Sequence, residues 1–204
     1  MLKELKIKLE NDLNKSLISS SCLLDNLSIM NEDSRKSSSY VDPKNIPFYY
    51  YLGKHFISNN LLEIGVGAGL NSACYLKSVK SIDNYLGFQQ KTSEFYTKRF
   101  AEKNIKKNVK SLEIYHGNIN DKEFNEKLIK NKWNLAIFDI EESYDKTLFK
   151  LTEVWKNLNY NALLVINQVK SSDIINKVFV NFKKINNVDG EILNTRYGVG
   201  LILK

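Results

Sequence analysis

Leu61-Leu62-Glu63-Ile64-Gly65-Val66-Gly67-Ala68-Gly69-Leu70-Asn71-Ser72 is the most informative stretch of this 204-residue chain. A short apolar strand pattern carrying one acid runs into three alternating glycines and then into a helical pattern. Glycines at 65, 67 and 69 let the backbone turn tightly and approach a ligand without Cβ interference. The free N–H groups at the start of the next helix favour an anionic ligand group. A dinucleotide fingerprint would need glycine at position 70, where Leu70 stands, so the spacing is GxGxG. A tight turn with no ligand is the plain alternative. The buried strand, Glu63 two positions before the first glycine, and the following helix together make a more specific signal.

Downstream, strand-like and helix-like blocks alternate. Strands are expected near 60–65, 82–88, 111–116, 133–139, 162–167, 190–194 and 197–203. Helices fall between them at 70–78, 91–104, 121–131, 145–157 and 171–183. Segments such as LAIFDI and ALLVIN are almost continuously apolar, as in strands covered by helices on both faces. The last two strands are too close in sequence for a crossover and require a hairpin, so one runs antiparallel. The pattern predicts an α/β three-layer sandwich with a mostly parallel, seven-stranded sheet whose last strand is antiparallel. Ligands of such sheets sit at the carboxyl ends of the strands, at the topological switch point.

Upstream, Leu2, Leu5, Leu9, Leu13 and Leu17 recur at three- and four-residue steps, the mark of an amphipathic helix. Cys22, Leu23, Leu24, Leu27 and Met30 form a second apolar group, followed by the polar stretch 31–40. Asp42-Pro43 opens a further helix pattern. Residues 1–42 are too few to bury an independent core, so they are expected to act as an arm or lid, with 43–204 as the main domain. The leucine stripe must be covered by its own chain or by the same stripe of a second copy, which would give a homodimer. The 31–40 loop, ending at Tyr40, suits gating of a site.

Composition narrows the class. No apolar run reaches the length of a membrane span, and the N-terminus alternates lysine with leucine instead of presenting a signal-peptide core. Two cysteines, Cys22 and Cys74, exclude a disulfide scaffold and suggest a reducing, cytoplasmic setting. The formal charge of +7 comes from 27 Lys and only 3 Arg, alongside 25 Asn. That profile reflects a compositional bias more than a nucleic-acid reader, which favours the arginine fork. Lys98, Arg99, Lys103, Lys106, Lys107 and Lys110 are the one basic concentration, read first as a solvated helix face.

The glycine segment resembles the first motif, (E/D)-x-G-x-G-x-G, of the class I S-adenosylmethionine-dependent methyltransferases. The resemblance covers about residues 43–204 and implies a Rossmann-like sheet with S-adenosylmethionine as cofactor. It places Glu63, Gly65, Val66, Gly67 and Gly69 around the methionine part of the cofactor, Glu63 helping to position the ammonium. A carboxylate beside a nest of backbone N–H groups suits a ligand with an ammonium, a carboxylate and a sulfonium. At the end of the second strand the family carries an acid for the ribose hydroxyls; here Gln89 stands in that place. An amide accepts one such bond without charge assistance, so weaker cofactor affinity is expected. After the third strand, Asn118 replaces the usual acid beside the adenine, and Ile119 would pack on the ring. His116 and His55 read as structural.

The stretch Asp139-Ile140-Glu141-Glu142-Ser143-Tyr144 resembles the D-x-x-H-S-Y motif of a small-molecule O-methyltransferase subgroup, with Glu142 for the histidine. Asn167-Gln168 stands where metal-dependent members carry further ligands. Asp139, Asn167 and Gln168 offer three oxygens but one charge, a poor set for Mg²⁺, so no metal is expected. Methyl transfer requires an oriented nucleophile and a proton acceptor. Asp139 and Glu142 are the candidate bases and Tyr144 a positioning group, with Asp139 also counted among the cofactor-binding residues. The resemblance therefore implies O-methylation of a small-molecule acceptor. Two alternatives stand beside it: a cofactor-binding protein of this fold without turnover, and RNA methylation at the basic patch. The Asn/Asp-Pro-Pro-aromatic signature of many base N-methylating enzymes does not occur in the sequence.

Overall fold

The sheet is built from β1 (Asn60–Ile64), β2 (Ile82–Gln90), β3 (Val109–Gly117), β4 (Trp133–Phe138), β5 (Leu158–Ile166), β6 (Gly190–Leu193) and β7 (Val199–Leu203). The strands lie in the order β3-β2-β1-β4-β5-β7-β6. The first five are parallel, and β7 runs antiparallel between β5 and β6. This computed structural model describes residues 1–15, 18–25, 27, 44–90 and 94–204. The expected serine-rich loop at 31–40, and the Asp42-Pro43 helix start, lie outside the described residues.

Eight described α-helices accompany the sheet: α1 (Leu2–Lys15), α2 (Ser20–Leu24), α3 (Asn45–His55), α4 (Leu70–Leu76), α5 (Glu94–Ile105), α6 (Lys122–Lys130), α7 (Tyr144–Lys156) and α8 (Asp173–Asn186). Two hydrophobic clusters result, one on each face. Leu61, Leu135, Ile137, Leu163 and Val165 point into the layer of α1 to α5. Their neighbours Leu62, Ala136, Phe138, Leu164 and Ile166 point into the layer of α6, α7 and α8. The continuous apolar strands thus still obey the two-residue period, with each half of the alternation buried. The strand expected near 162 begins earlier, because Leu158 already pairs with Trp133 ahead of a register shift.

The N-terminal leucine stripe closes on its own chain. Leu5, Leu9 and Leu13 are buried, and α1 packs on α3 and β6. Each buried leucine contributes about 2 kcal/mol. Lys6 pairs with Glu191 at 3.1 Å, and His55 Nε2 lies 2.7 Å from Asp12 Oδ2. In the basic stretch, Lys110 is paired with Asp83. No described helix is long and apolar enough to cross a membrane.

Chain order places the site. From β1 the chain moves outward to β3, then returns to lay β4 against the other side of β1. The carboxyl ends of β1 and β4 therefore flank the point where the winding reverses.

Candidate active site at the switch point of the sheet

The glycine segment forms the turn between β1 and α4. Gly65, Gly67 and Gly69 have φ of 93°, 53° and 72°, in the region that favours glycine. At Gly65 a Cβ would stand 2.2 Å from the carbonyl oxygen of Asp139, so the close approach of β4 also requires glycine. At Gly67 nothing lies within 4 Å of that position, and the loop opens there onto free space. The turn is held by Gly65 N–H donating to Phe88 O at 2.9 Å and Gly69 N–H donating to Val66 O at 2.7 Å.

Beneath this loop lies Glu63, fully buried. Ser72 and Tyr85 hydroxyls both donate to its Oε2 at 2.5 Å, while its Oε1 is buried without a hydrogen-bond partner. Burial pushes the carboxyl up to about 7, against the lowering effect of the Ser72 and Tyr85 bonds. Tyr85 reaches it because Gly87, opposite Glu63 in the β1–β2 register, leaves room for the tyrosine ring. Asn71, the next-to-first residue of α4, is also buried and its Oδ1 has no partner.

Asp139, one residue beyond β4, keeps part of its surface open. Asn71 Nδ2 donates to its Oδ2 at 3.2 Å and Gln168 Nε2 to its Oδ1 at 3.3 Å. Desolvation raises its pKa, and the Asn167, Gln168 and Asn71 amides pull it back. The hydroxyl of Tyr49, on α3, donates to Asn167 Oδ1 at 2.6 Å. Burial first, then the charges of Asp139 and Glu63, hold the Tyr49 phenol well above its usual range. Gln168 adopts a φ of 65°, uncommon for a long side chain and tolerated where surrounding bonds fix it.

Asp139, Asn167 and Gln168 are together as the sequence suggested, but they do not present three oxygens. The Gln168 amide turns its nitrogen to the carboxylate, and Tyr49 occupies the Asn167 oxygen. Among the described residues no group of three or more His, Cys, Asp or Glu side chains converges on one point. A single carboxylate ringed by N–H donors does not fit a hard divalent cation.

The other candidates lie apart. Gln89 Oε1 accepts from Gly67 N–H at 2.7 Å, so the amide is anchored to the glycine loop. Asn118 Oδ1 accepts from Asn120 N–H at 3.0 Å within the turn after β3, and Ile119 is buried. Asn118, Ile119 and Glu142 line a cleft of about 600 Å³ with Phe88, Tyr115 and His116. Glu142 Oε1 is paired at 2.6 Å with Lys150, a buried lysine of α7. Glu141 is exposed. The Tyr144 hydroxyl accepts from Asn181 Nδ2 of α8 at 2.8 Å. Of the three catalytic candidates, only Asp139 stands in the glycine-loop cluster.

The sequence reading missed Asn71, Ser72, Tyr85 and Tyr49. Asn71 and Ser72 stand two and three residues after the last glycine, in the first turn of α4, and that closeness to the loop was the available signal. Tyr49 carried none: it is 118 residues from its partner Asn167.

No protein-family model matches the sequence, and no curated protein matches it. Solved structures do. The O-methyltransferase from Bacillus cereus in complex with S-adenosylhomocysteine (SAH) is 12% identical, with 100% of both chains covered and a TM-score of 0.65. An SAH-bound methyltransferase from Podospora anserina is 12% identical over 98% of this chain and 87% of that one, with a TM-score of 0.63. An O-methyltransferase from Streptomyces achromogenes involved in tomaymycin synthesis, in complex with S-adenosylmethionine (SAM), is 12% identical over 99% and 88%, with a TM-score of 0.58. The chain therefore shares the fold of the solved O-methyltransferases.

Proposed function

We propose that this protein binds SAM and transfers its methyl group to an oxygen of a small-molecule acceptor. One observation carries the reading. Glu63 Oε1 and Asn71 Oδ1 are buried acceptors without donors, beside a glycine loop that opens at Gly67. Buried acceptors left unsatisfied cost free energy, and a ligand bearing several N–H donors removes that cost. The ammonium of SAM is such a group, so the residues present fit the cofactor. Glu63, Asn71 and the Gly65–Gly69 backbone would hold the methionine part. Gln89, Asn118 and Ile119 would face the nucleoside part, along the cleft beside β3. When bound, SAM supplies an electrophilic methyl on a sulfonium.

The remaining work falls to this chain. Asp139 is the proton acceptor for the acceptor hydroxyl, because it is partly open and clamped by amides that hold its orientation. Glu142 is already neutralised by Lys150, which leaves it a structural role at the cleft. The involvement of the Streptomyces neighbour in tomaymycin synthesis supports a small-molecule acceptor. A second reading, cofactor binding without turnover, is favoured by the Glu142–Lys150 pair and the Gln89 anchor.

Calorimetric titration with SAH tests the shared part of both readings. Micromolar to millimolar binding is expected, with loss of binding in Gly67→Arg, whose side chain would enter the open space at the cost of a left-handed backbone at that position, a cost read separately by a denaturant melt. No binding to folded wild-type protein at millimolar SAH overturns both. A screen of hydroxylated acceptors with SAM then separates them.

A further inference from the structure

We propose that the gap between α6 and α7 is a second small-molecule site, one that takes a compact neutral aromatic ring. The helices of this layer are not evenly spaced. α7 packs closely along α8, whereas α6 and α7 part over the sheet and leave a cavity of about 150 Å³ between them. Ile119, Phe124, Leu128 and Val154 wall it, and Phe149 of α7 stands at its rim. The four wall residues are buried, yet Phe149 is 53% exposed, a benzyl group held in water beside an apolar opening. An apolar gap forfeits packing contacts in proportion to its size, and a ligand that fills it restores them. An apolar cavity of this volume, lined by leucine, isoleucine and phenylalanine, holds one benzene-sized ring.

The charge arrangement selects the ligand. Two ionisable side chains line the cavity, and both are already matched. Lys150 Nζ lies 2.6 Å from Glu142 Oε1, and Glu153 Oε1 lies 2.6 Å from Lys156 Nζ. The remaining polar lining is Asn120 and Asn125, which are neutral. A charged ligand would lose hydration there without meeting a free counter-charge, whereas a neutral ring can turn a polar edge to the amides. Ile119, Asn120 and Lys150 also line the larger cleft beside β3, so the two cavities adjoin. The glycine loop takes no part in the smaller one, and the inference does not depend on the cofactor reading.

Calorimetric titration of the full chain with indole is the test. One-to-one binding with a Kd below about 1 mM is expected. Indole-3-carboxylate, the same ring with a full charge, should bind about tenfold more weakly. Asn125→Phe, which puts a ring of the protein's own into the gap, should abolish indole binding. Phe149→Ala should weaken it about three- to tenfold. Because Phe149 is exposed, that variant should keep its denaturant midpoint, and it decides the matter if Asn125→Phe fails to fold. Absence of saturable indole binding to the folded wild type overturns the inference. So does binding undiminished in Phe149→Ala, which would put the ring elsewhere, or equal affinity for the charged ligand. Failure of SAH to bind overturns the cofactor reading alone and leaves this site standing.

Discussion

The carboxyl edge of the sheet has two acidic regions that handle charge in opposite ways. At the β1–β4 junction, Glu63 and Asp139 are surrounded by hydroxyls and amides, and Glu63 Oε1 has no donor at all. At the β3 side, Glu142 is matched by Lys150, and Asp121 accepts from the Tyr115 hydroxyl and the Asn118 N–H. The second region is internally complete. The first is built as though a donor were still to come, and unsatisfied buried polarity of this kind is tolerated where a ligand completes it. The contrast separates acids that hold the fold from acids that await a partner, although both kinds sit at strand ends.

The sharpest way to break this contrast is pH. Glu63 is raised from its ordinary value of 4.5 to about 7 by burial. A carboxyl raised in the folded state binds its proton more tightly there than in the unfolded chain. Its contribution to stability is therefore fully present below the unfolded value and is lost as pH rises through the folded one. Stability of the ligand-free protein should fall between about pH 4.5 and 7, by about 3 kcal/mol from this group. Glu63→Gln should flatten that slope in urea melts. Ligand binding has the opposite sign, because an ammonium requires the ionised form. Below pH 7, SAH affinity should drop about tenfold per unit, and above it should level off. An SAH affinity independent of pH between 5.5 and 8 would remove Glu63 from the ligand's contacts.

The β3 side should respond differently. Glu142→Gln strands Lys150, which is 5% exposed, without its counter-charge. The expected loss is about 2–3 kcal/mol of stability, read as a lowered denaturant midpoint, with SAH affinity at neutral pH unchanged. If the variant instead keeps its stability and loses turnover, Glu142 is the base and the division between the two regions fails.

Much of this architecture was legible in the sequence. The apolar runs of β4 and β5 announced a doubly covered sheet, and Glu63 with the GxGxG spacing located the loop. Less legible was anything set by register. Tyr85 meets Glu63 only because Gly87 opposite it lacks a side chain, and Lys150 meets Glu142 only because α7 turns it back toward the loop. The metal question turned on the facing of two amides. Composition says that Asn167 and Gln168 each own an oxygen; it does not say that the Tyr49 hydroxyl, arriving from α3, takes that of Asn167, or that Gln168 turns its nitrogen to Asp139. An arm of leucines likewise announced that it needed cover, without indicating that α3 and β6 would supply it.

Gln89 joins the two regions, since it ends β2 and reaches back to the loop. Its Oε1 accepts the Gly67 N–H at 2.7 Å, a side-chain tie beyond the backbone bonds that the Gly65 and Val66 N–H groups make to Phe88 O of β2. An amide so engaged has its nitrogen as the remaining polar group, a donor, whereas ribose hydroxyls are bound best by an acceptor that takes both. In Gln89→Glu one oxygen can keep the loop bond and the other can accept from the ribose with charge assistance. SAH affinity should therefore rise by about 1–2 kcal/mol, or about five- to thirtyfold, in calorimetry at pH 8. Gln89→Leu loses the loop bond and should bind SAH more weakly than wild type. Were the glutamate variant also weakened, the amide would be serving the loop alone, and the ribose would lie out of its reach.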